Sequence, residues 1–351
     1  MLHCYITRVF SQLLLALLII TQAGVFASSP RRVRRMIHGT KFHTKSPIVL
    51  IRTKHRLPGN GVAESTCSGS LITTQHVLSA AHCFTKNIGS RVTNKTIVEV
   101  NLYMGLLAGN RDLQKVTMRG MDEVEGSARY TVGMDAISIQ EHWYHSLAYK
   151  RHFKHQLNDI AVIKLPRPVD LSTTNVVTAT LFAPKYTNWY PNYISATAMG
   201  WGLLQPKTWY SSGERGLRKA DITTESLESC KRKARKMRYH QGTMMIADVF
   251  CGLGTIERST SMRPQICFGD SGGPLFLKHA PGHVQLGVNV WVGSKCDRNF
   301  NGFLRIADHI DFVKTAVGPG HDLEISTDLR LITAPSPRNS ELVDGDEGML
   351  G

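Results

Sequence analysis

Short stretches of β-branched and apolar residues, separated by turn-forming residues, recur along most of the chain and restrict it to an all-β architecture. "SPIVLIR", "TCSGSLIT", "TIVEVNLYM", "DIAVIKLP", "YISATAMGWG" and "HVQLGVNVWVG" have the length and spacing of strands in a β-sandwich or a pair of barrels. Helical periodicity is scarce. "ADHIDFVKTAV" is the clearest case, where Ile306, Ile310, Phe312, Val313 and Val317 share one face and predict a short C-terminal helix. With 42% hydrophobic residues, the 351-residue chain can bury one large or two smaller cores. No internal repeat is present.

The two ends differ from this body. After Arg8 comes the apolar run "VFSQLLLALLIITQAGVFA", closing on small residues, which predicts a secretory signal cut after Ala27, residues 1–27, and a secreted, extracellular product. Its uninterrupted core is shorter than the roughly 20 residues that span a bilayer. The next stretch, residues 28–35, holds Arg31, Arg32, Arg34 and Arg35 and is expected to be a basic propeptide cut after Arg35 by another protease. From residue 318 to 351 periodicity gives way to Pro, Gly and acidic residues, predicting an acidic, disordered tail. That tail carries seven acids against Arg330 and Arg338, so the formal +15 of the whole chain leaves +20 on the remainder.

Part of this basic excess is the run from Lys231 to Arg238, read as a solvated loop that could attract anionic glycans or surfaces. No nucleic-acid-binding module accompanies it. Asn94, in "NKT", is a glycosylation acceptor expected on a loop. Of the seven cysteines, Cys4 falls in the signal; the other six favour disulfides in an exported chain, although spacing alone leaves 15 pairings open. No CxxC spacing is present to support a metal, and no cofactor is expected.

Three separated segments carry residues of nucleophilic catalysis. A serine hydroxyl needs a neighbouring base, and the base needs a third group to orient it and stabilise its charged form. "CFGDSGGPL" surrounds Ser271 with glycines that let backbone N–H groups approach an oxyanion; "LSAAHCF" places His82 beside Cys83; "LNDIAVIKL" places Asp159 at the head of an apolar strand.

With "SAAHC", "NDIAVIKL", "GWG" and "GDSGGP" in that order, the chain resembles the chymotrypsin/trypsin (S1) family of secreted serine peptidases over residues 36–317. The resemblance implies two six-stranded antiparallel β-barrels with a short C-terminal helix. It implies His82 as general base, Asp159 as its orienter, Ser271 as nucleophile, and the N–H groups of Gly269 and Ser271 as oxyanion hole. It pairs Cys67 with Cys83, Cys230 with Cys251 and Cys267 with Cys296. It further implies a zymogen whose freed Met36 amine pairs with Asp270, and a specificity pocket built from Gln265, Ile266, Trp291, Val292 and Gly302.

Five positions depart from the family pattern. Met36 stands where Ile or Val is usual, and His38 where glycine is usual. Val290 replaces a serine that supports the catalytic aspartate. Gln265 replaces the aspartate that binds basic side chains, and Val292 narrows the pocket where glycine is common. Hydrolysis of protein or peptide substrates beside neutral residues is expected, the alternative being a weakly active or non-catalytic homologue that serves as a secreted binding or regulatory protein.

Overall fold

The computed structural model describes residues 39–42, 44–56, 61–88, 91–94, 97–105, 128–132, 136–144, 155–172, 175–185, 189–202, 217–236, 248–256, 263–292, 296 and 301–333. The stretches read as signal and basic propeptide, residues 1–35, and Met36 lie outside them.

The first half of the chain supplies β1 (Thr40–Lys41), β2 (Ile48–Arg56), β3 (Val62–Thr73), β4 (His76–Ser79), β5 (Thr85–Ile88), β6 (Arg91–Asn94), β7 (Ile97–Met104), β8 (Ala128–Val132), β9 (Ile137–Tyr144) and β10 (His155–Lys164). The second half supplies β11 (Thr180–Phe182), β12 (Ser195–Gly200), β13 (Arg218–Thr224), β14 (Val249–Gly254), β15 (Pro274–Leu277), β16 (Val284–Val292), β17 (Asn301–Arg305) and β18 (Ile325–Ser326). Helix α1 (Leu227–Lys236) precedes β14, while α2 (Ile310–Val317) and α3 (Arg330–Thr333) follow β17.

All six stretches of strand-like sequence contribute to strands. Most of them bury continuous runs, such as Cys67–Thr73 of β3, whereas along Arg218–Thr224 of β13 every second residue is buried. The first sheet runs β8-β7-β2-β3-β4-β10-β9, antiparallel throughout. In the second, β12-β13-β14-β17-β16-β15 closes on itself through the β15–β12 pairing, giving a six-stranded barrel. The expected pair of β-barrels is thus present as one closed ring and one open path of seven strands. Val49, Ile51, Leu71, Leu102 and Ile160 fill the first core; Phe182, Ile222, Phe250, Leu275 and Phe303 fill the second.

The predicted C-terminal helix forms as a 3-10 turn, Ile306–His309, followed by α2, with Ile306, Val313 and Val317 buried in the first core. The chain order therefore crosses over: this helical segment, which follows the second set of strands, packs back on the first core.

The expected loss of structure after Val317 is corrected by the next sixteen residues. Strand β18 adds in parallel to β11, where the Leu181 and Ala183 N–H groups donate to the Glu324 and Ser326 carbonyls, both at 2.9 Å. Leu323 packs on the first core, and Leu329, Leu331 and Ile332 on the second. A composition rich in Pro, Gly and acid does not reveal that edge strand β11 offers backbone groups to a passing segment. Residues 334–351 lie outside the described residues.

Because this segment covers apolar surface on both cores, removing it has a measurable cost. A chain ending after Val317 is expected to melt about 5 °C below one ending after Thr333, corresponding to roughly 2 kcal/mol of lost burial. Superimposable melting curves would show that the docked segment contributes nothing.

Candidate active site

His82 lies in the 3-10 turn Ala81–Cys83, directly after β4. Two restraints fix this turn. Cys83 is disulfide-bonded to Cys67 of β3, and the His82 backbone N–H donates to Asp159 Oδ1 at 2.8 Å. The imidazole Nδ1 meets the other carboxylate oxygen, Oδ2, at 2.7 Å. An ionised carboxylate only accepts, so the proton sits on Nδ1 and Nε2 is the basic nitrogen. Asp159 is 5% exposed, in keeping with a group whose charge is answered by two N–H donors.

Ser271 occupies the turn that enters β15, with its side chain partly exposed. Its carbonyl accepts from the Ser68 N–H at 2.7 Å, which ties the turn to β3 one residue from Cys67. On the far side, Gly272 N–H donates to Asn289 O at 2.7 Å and Asn289 N–H donates to Gly273 O at 2.8 Å. Gly269 and Gly272 have φ of +95° and +78°, a region that residues with a Cβ avoid. A Cβ on Gly272 would also strike Ser79 Oγ and the Ser68 carbonyl. His82, Asp159 and Ser271 are thus held on adjoining restrained segments. The His82–Asp159 hydrogen bonds are closed; Ser271 Oγ makes no hydrogen bond to His82 in this structure.

Asp270 is 1% exposed and accepts two backbone hydrogen bonds, from Gly202 at 2.7 Å and from Cys267 at 2.9 Å. A Cβ at Gly200 or Gly202 would collide with its carboxylate, so "GWG" is the lining of this acid's chamber. Burial pushes the Asp270 carboxyl up to about 7, and the two N–H donors only partly oppose that rise. Strand β1 pairs with β13, and Arg218 Nη1 donates to the Gly39 carbonyl at 3.1 Å, which brings the start of the described chain beside the strand pair that carries Gly200.

In the pocket segment Gln265 and Ile266 are buried, while Trp291 and Val292 are partly exposed. Trp291 pairs with Gly302 across β16 and β17, and the Cys267–Cys296 disulfide joins the loops flanking them. Asn301 Nδ2 donates to Gln265 Oε1 at 2.8 Å and to Gly252 O at 3.2 Å. This clamp fixes the Gln265 oxygen and leaves its buried Nε2 without a partner. Sequence reading missed Asn301. The available signal was a polar residue opening the apolar stretch "GFL".

The third disulfide, Cys230–Cys251, ties α1 to β14. Two sequence readings need correction here. The basic run from Lys231 is helical as far as Lys236, not a loop, and Lys231 and Lys233 are paired with Glu228 and Glu225 at 3.2 and 2.6 Å. Asn94 ends strand β6, paired opposite Thr85, where a loop was expected. The Cys230–Cys251 disulfide seats α1 against β14, and β6 forms by hairpin pairing with the neighbouring β5.

The family model "Trypsin" matches residues 49–313, a span that includes His82, Asp159 and Ser271. The chain belongs to the trypsin family of serine-type endopeptidases. It is 30% identical to chymotrypsin-C of Mus musculus over 72% of this chain and 78% of that protein. With phenoloxidase-activating factor 3 of Holotrichia diomphalia it shares 27% identity over 74% of this chain and 66% of the relative, just under two thirds of that longer protein. A collagenase crystal structure superimposes with a TM-score of 0.53 at 22% identity, over 80% of this chain and 98% of the other, a likeness of fold. Among the described residues no helix is long and apolar enough to cross a membrane.

The raised Asp270 carboxyl predicts a pH signature in the unprocessed chain. The folded state keeps this proton between about pH 4 and 7, where an unfolded aspartate, with its ordinary value of 3.8, has lost it. The group's contribution to stability is therefore complete below about pH 4 and is lost as pH rises towards 7. Asp270→Asn, which cannot ionise, should gain on the parent by roughly 2–4 kcal/mol over that rise. Urea unfolding of both proteins at pH 4 and pH 7 measures the difference; a pH-independent offset would contradict it.

Proposed function

We propose that this chain is a secreted serine endopeptidase that works through His82, Asp159 and Ser271. The observation that carries the reading is the double engagement of Asp159, which holds the histidine backbone and ring together and leaves Nε2 as the base. Ser271 Oγ attacks the scissile carbonyl and gives its proton to Nε2. The oxyanion of the tetrahedral intermediate accepts from the N–H groups of Gly269 and Ser271. The imidazolium, stabilised by Asp159, then protonates the leaving amine; water attacks the acyl-enzyme by the reverse roles and releases the acid.

Activation follows from the Asp270 chamber. A buried carboxyl held up to about 7 gains from a cation inside the chamber, and an amine freed at Met36 supplies one. Gly39 already lies against β13, and the three residues back to Met36 reach about 10 Å when extended. Met buries an unbranched side chain at a larger entropy cost than Ile or Val, so activation by this route is weaker for it. The basic stretch ending at Arg35 is the cleavage site for a second protease, and the run at the head of the chain is the export signal. Export also accounts for the three disulfides. An attachment to anionic glycans through Lys231–Arg238 draws less support, because two of its lysines already have acidic partners.

Substrate choice follows from the neutral, Asn301-clamped Gln265. A substrate Arg or Lys placed there meets an amide dipole where a carboxylate would be needed to offset its lost hydration. Neutral residues are therefore preferred before the scissile bond. Val290 and Met36 favour the rival reading, a weakly active or non-catalytic homologue acting as a secreted binding protein.

The deciding experiment compares the protein processed after Arg35 with its Ser271→Ala variant on peptide substrates. Hydrolysis by the parent, its loss in Ser271→Ala, and an N-terminus of Met36 in the active material support the proposal. Turnover that survives Ser271→Ala overturns the mechanism, and no turnover in either supports the rival. For the pocket, a peptide-library digest should show cleavage after Ala, Val or Leu in preference to Arg or Lys by 10-fold or more, about 1.4 kcal/mol. Gln265→Asp should shift cleavage towards basic residues. Dominant cleavage after Arg or Lys by the parent would contradict the pocket reading.

A further inference from the structure

With valine at position 290, the orientation of Asp159 must be secured by other contacts, and the fold supplies them one residue upstream. Strand β10 pairs Leu157 with His142 and Ile160 with Gln140, so Asn158 and Asp159 together oppose a single residue of β9. This is a β-bulge, a device that re-aims a side chain out of the regular pleat. Asn158 holds φ at +54°, the left-handed conformation that makes the bend.

The bulge is gripped from the other half of the chain. Asn158 N–H donates to Asp248 Oδ2 at 2.8 Å, and His309 Nε2 stands 3.2 Å from the same oxygen. Asp248 is 7% exposed and His309 3%. The Asp248 carbonyl in turn accepts from the Arg305 N–H at 2.8 Å, at the end of β17. His309 closes the 3-10 turn that leads into α2. A buried carboxylate–imidazole contact between the residue preceding β14 and the C-terminal helical segment thus meets the backbone immediately before Asp159. Burying such a pair costs desolvation that an apolar pair would avoid, so its return is sought in geometry.

We infer that Asp248 and His309 are positioning residues that hold the Asn158–Asp159 bulge and thereby aim the Asp159 carboxylate at His82. The inference rests on the catalytic reading above. Asp159 must accept from the His82 backbone at Oδ1 and from the ring at Oδ2 simultaneously, and a small rotation of the bulge breaks one of these bonds. Misplacement of a catalytic group by about 1 Å can cost on the order of 100-fold in rate.

The test uses the processed protein and its Asp248→Ala, Asp248→Asn and His309→Leu variants, with kcat and KM expressed per titrated active site so that unfolded material is not counted. Asp248→Ala is expected to lower kcat about 10- to 100-fold with KM changed less than about 2-fold. His309→Leu should lower kcat less, and serves as the second probe if Asp248→Ala fails to fold. Asp248→Asn, whose amide oxygen can still accept from Asn158, should recover most of the loss. In an Asp159→Asn background Asp248→Ala should add little, because it acts through Asp159.

A second readout does not depend on turnover: the downfield NMR proton of the His82–Asp159 bond should weaken or move in Asp248→Ala and persist in Asp248→Asn. An unchanged kcat together with an unchanged proton signal in Asp248→Ala overturns the inference, as does an undiminished loss in the Asp159→Asn background. An inert parent would defeat the protease reading while the proton signal still decides the brace.

Discussion

The N–H of Ser68 and the carbonyl of Ser271, 2.7 Å apart, press the nucleophile's turn against the sheet that carries His82. The contact is between backbones and carries no chemistry of its own, yet the rest of the site is arranged around it. Cys67, next to Ser68, is covalently joined to Cys83, next to His82. On the opposite side of the turn, the two Asn289 backbone bonds hold Gly272 and Gly273 to β16. The turn can be gripped this closely from both sides only because glycine follows the serine: any Cβ at position 272 would occupy the space of Ser79 and Ser68.

Short-range requirements of this kind are what the sequence discloses. A glycine needed for a left-handed turn or a close approach, a cysteine beside a histidine, and an aspartate heading an apolar strand are visible locally, and their order along the chain identified the family. The strands were legible for a similar reason, since short β-branched and apolar runs bounded by turn residues are local features. The partners of buried polar groups were not. Asn301 on Gln265, and Asp248 with His309 beneath Asn158, are brought together by strand pairing across separations of 36, 90 and 61 residues, and each alone reads as an ordinary polar residue. The docked segment after Val317 was missed because its local composition is that of a solvated tail, whereas its order comes from an edge strand far upstream.

The departures from the family pattern acquire physical content in the fold. Gln265 is neutral where the family pattern has a charge; its oxygen accepts from Asn301 Nδ2, and its buried Nε2 has no partner among the described residues. Asp270 has two backbone donors and a glycine-lined chamber, and under the proposed activation Met36 would change what enters that chamber and not the chamber itself. Val290 withdraws side-chain support from Asp159, while the bulge beside it is pinned by the Asp248–His309 pair. The fold and the hydrogen bonds that seat the histidine are thus present alongside these departures.

That His82, held by Asp159, activates Ser271 as a nucleophile is tested most directly by covalent modification. Protein cleaved after Arg35 is treated with a fluorophosphonate, digested and mapped by mass spectrometry, with protein denatured beforehand as the control. The account predicts a single adduct on the peptide containing Ser271, absent from the denatured sample and lost in His82→Ala. Absence of any adduct from the folded, processed protein, or labelling at Ser271 that persists undiminished in His82→Ala, would contradict it.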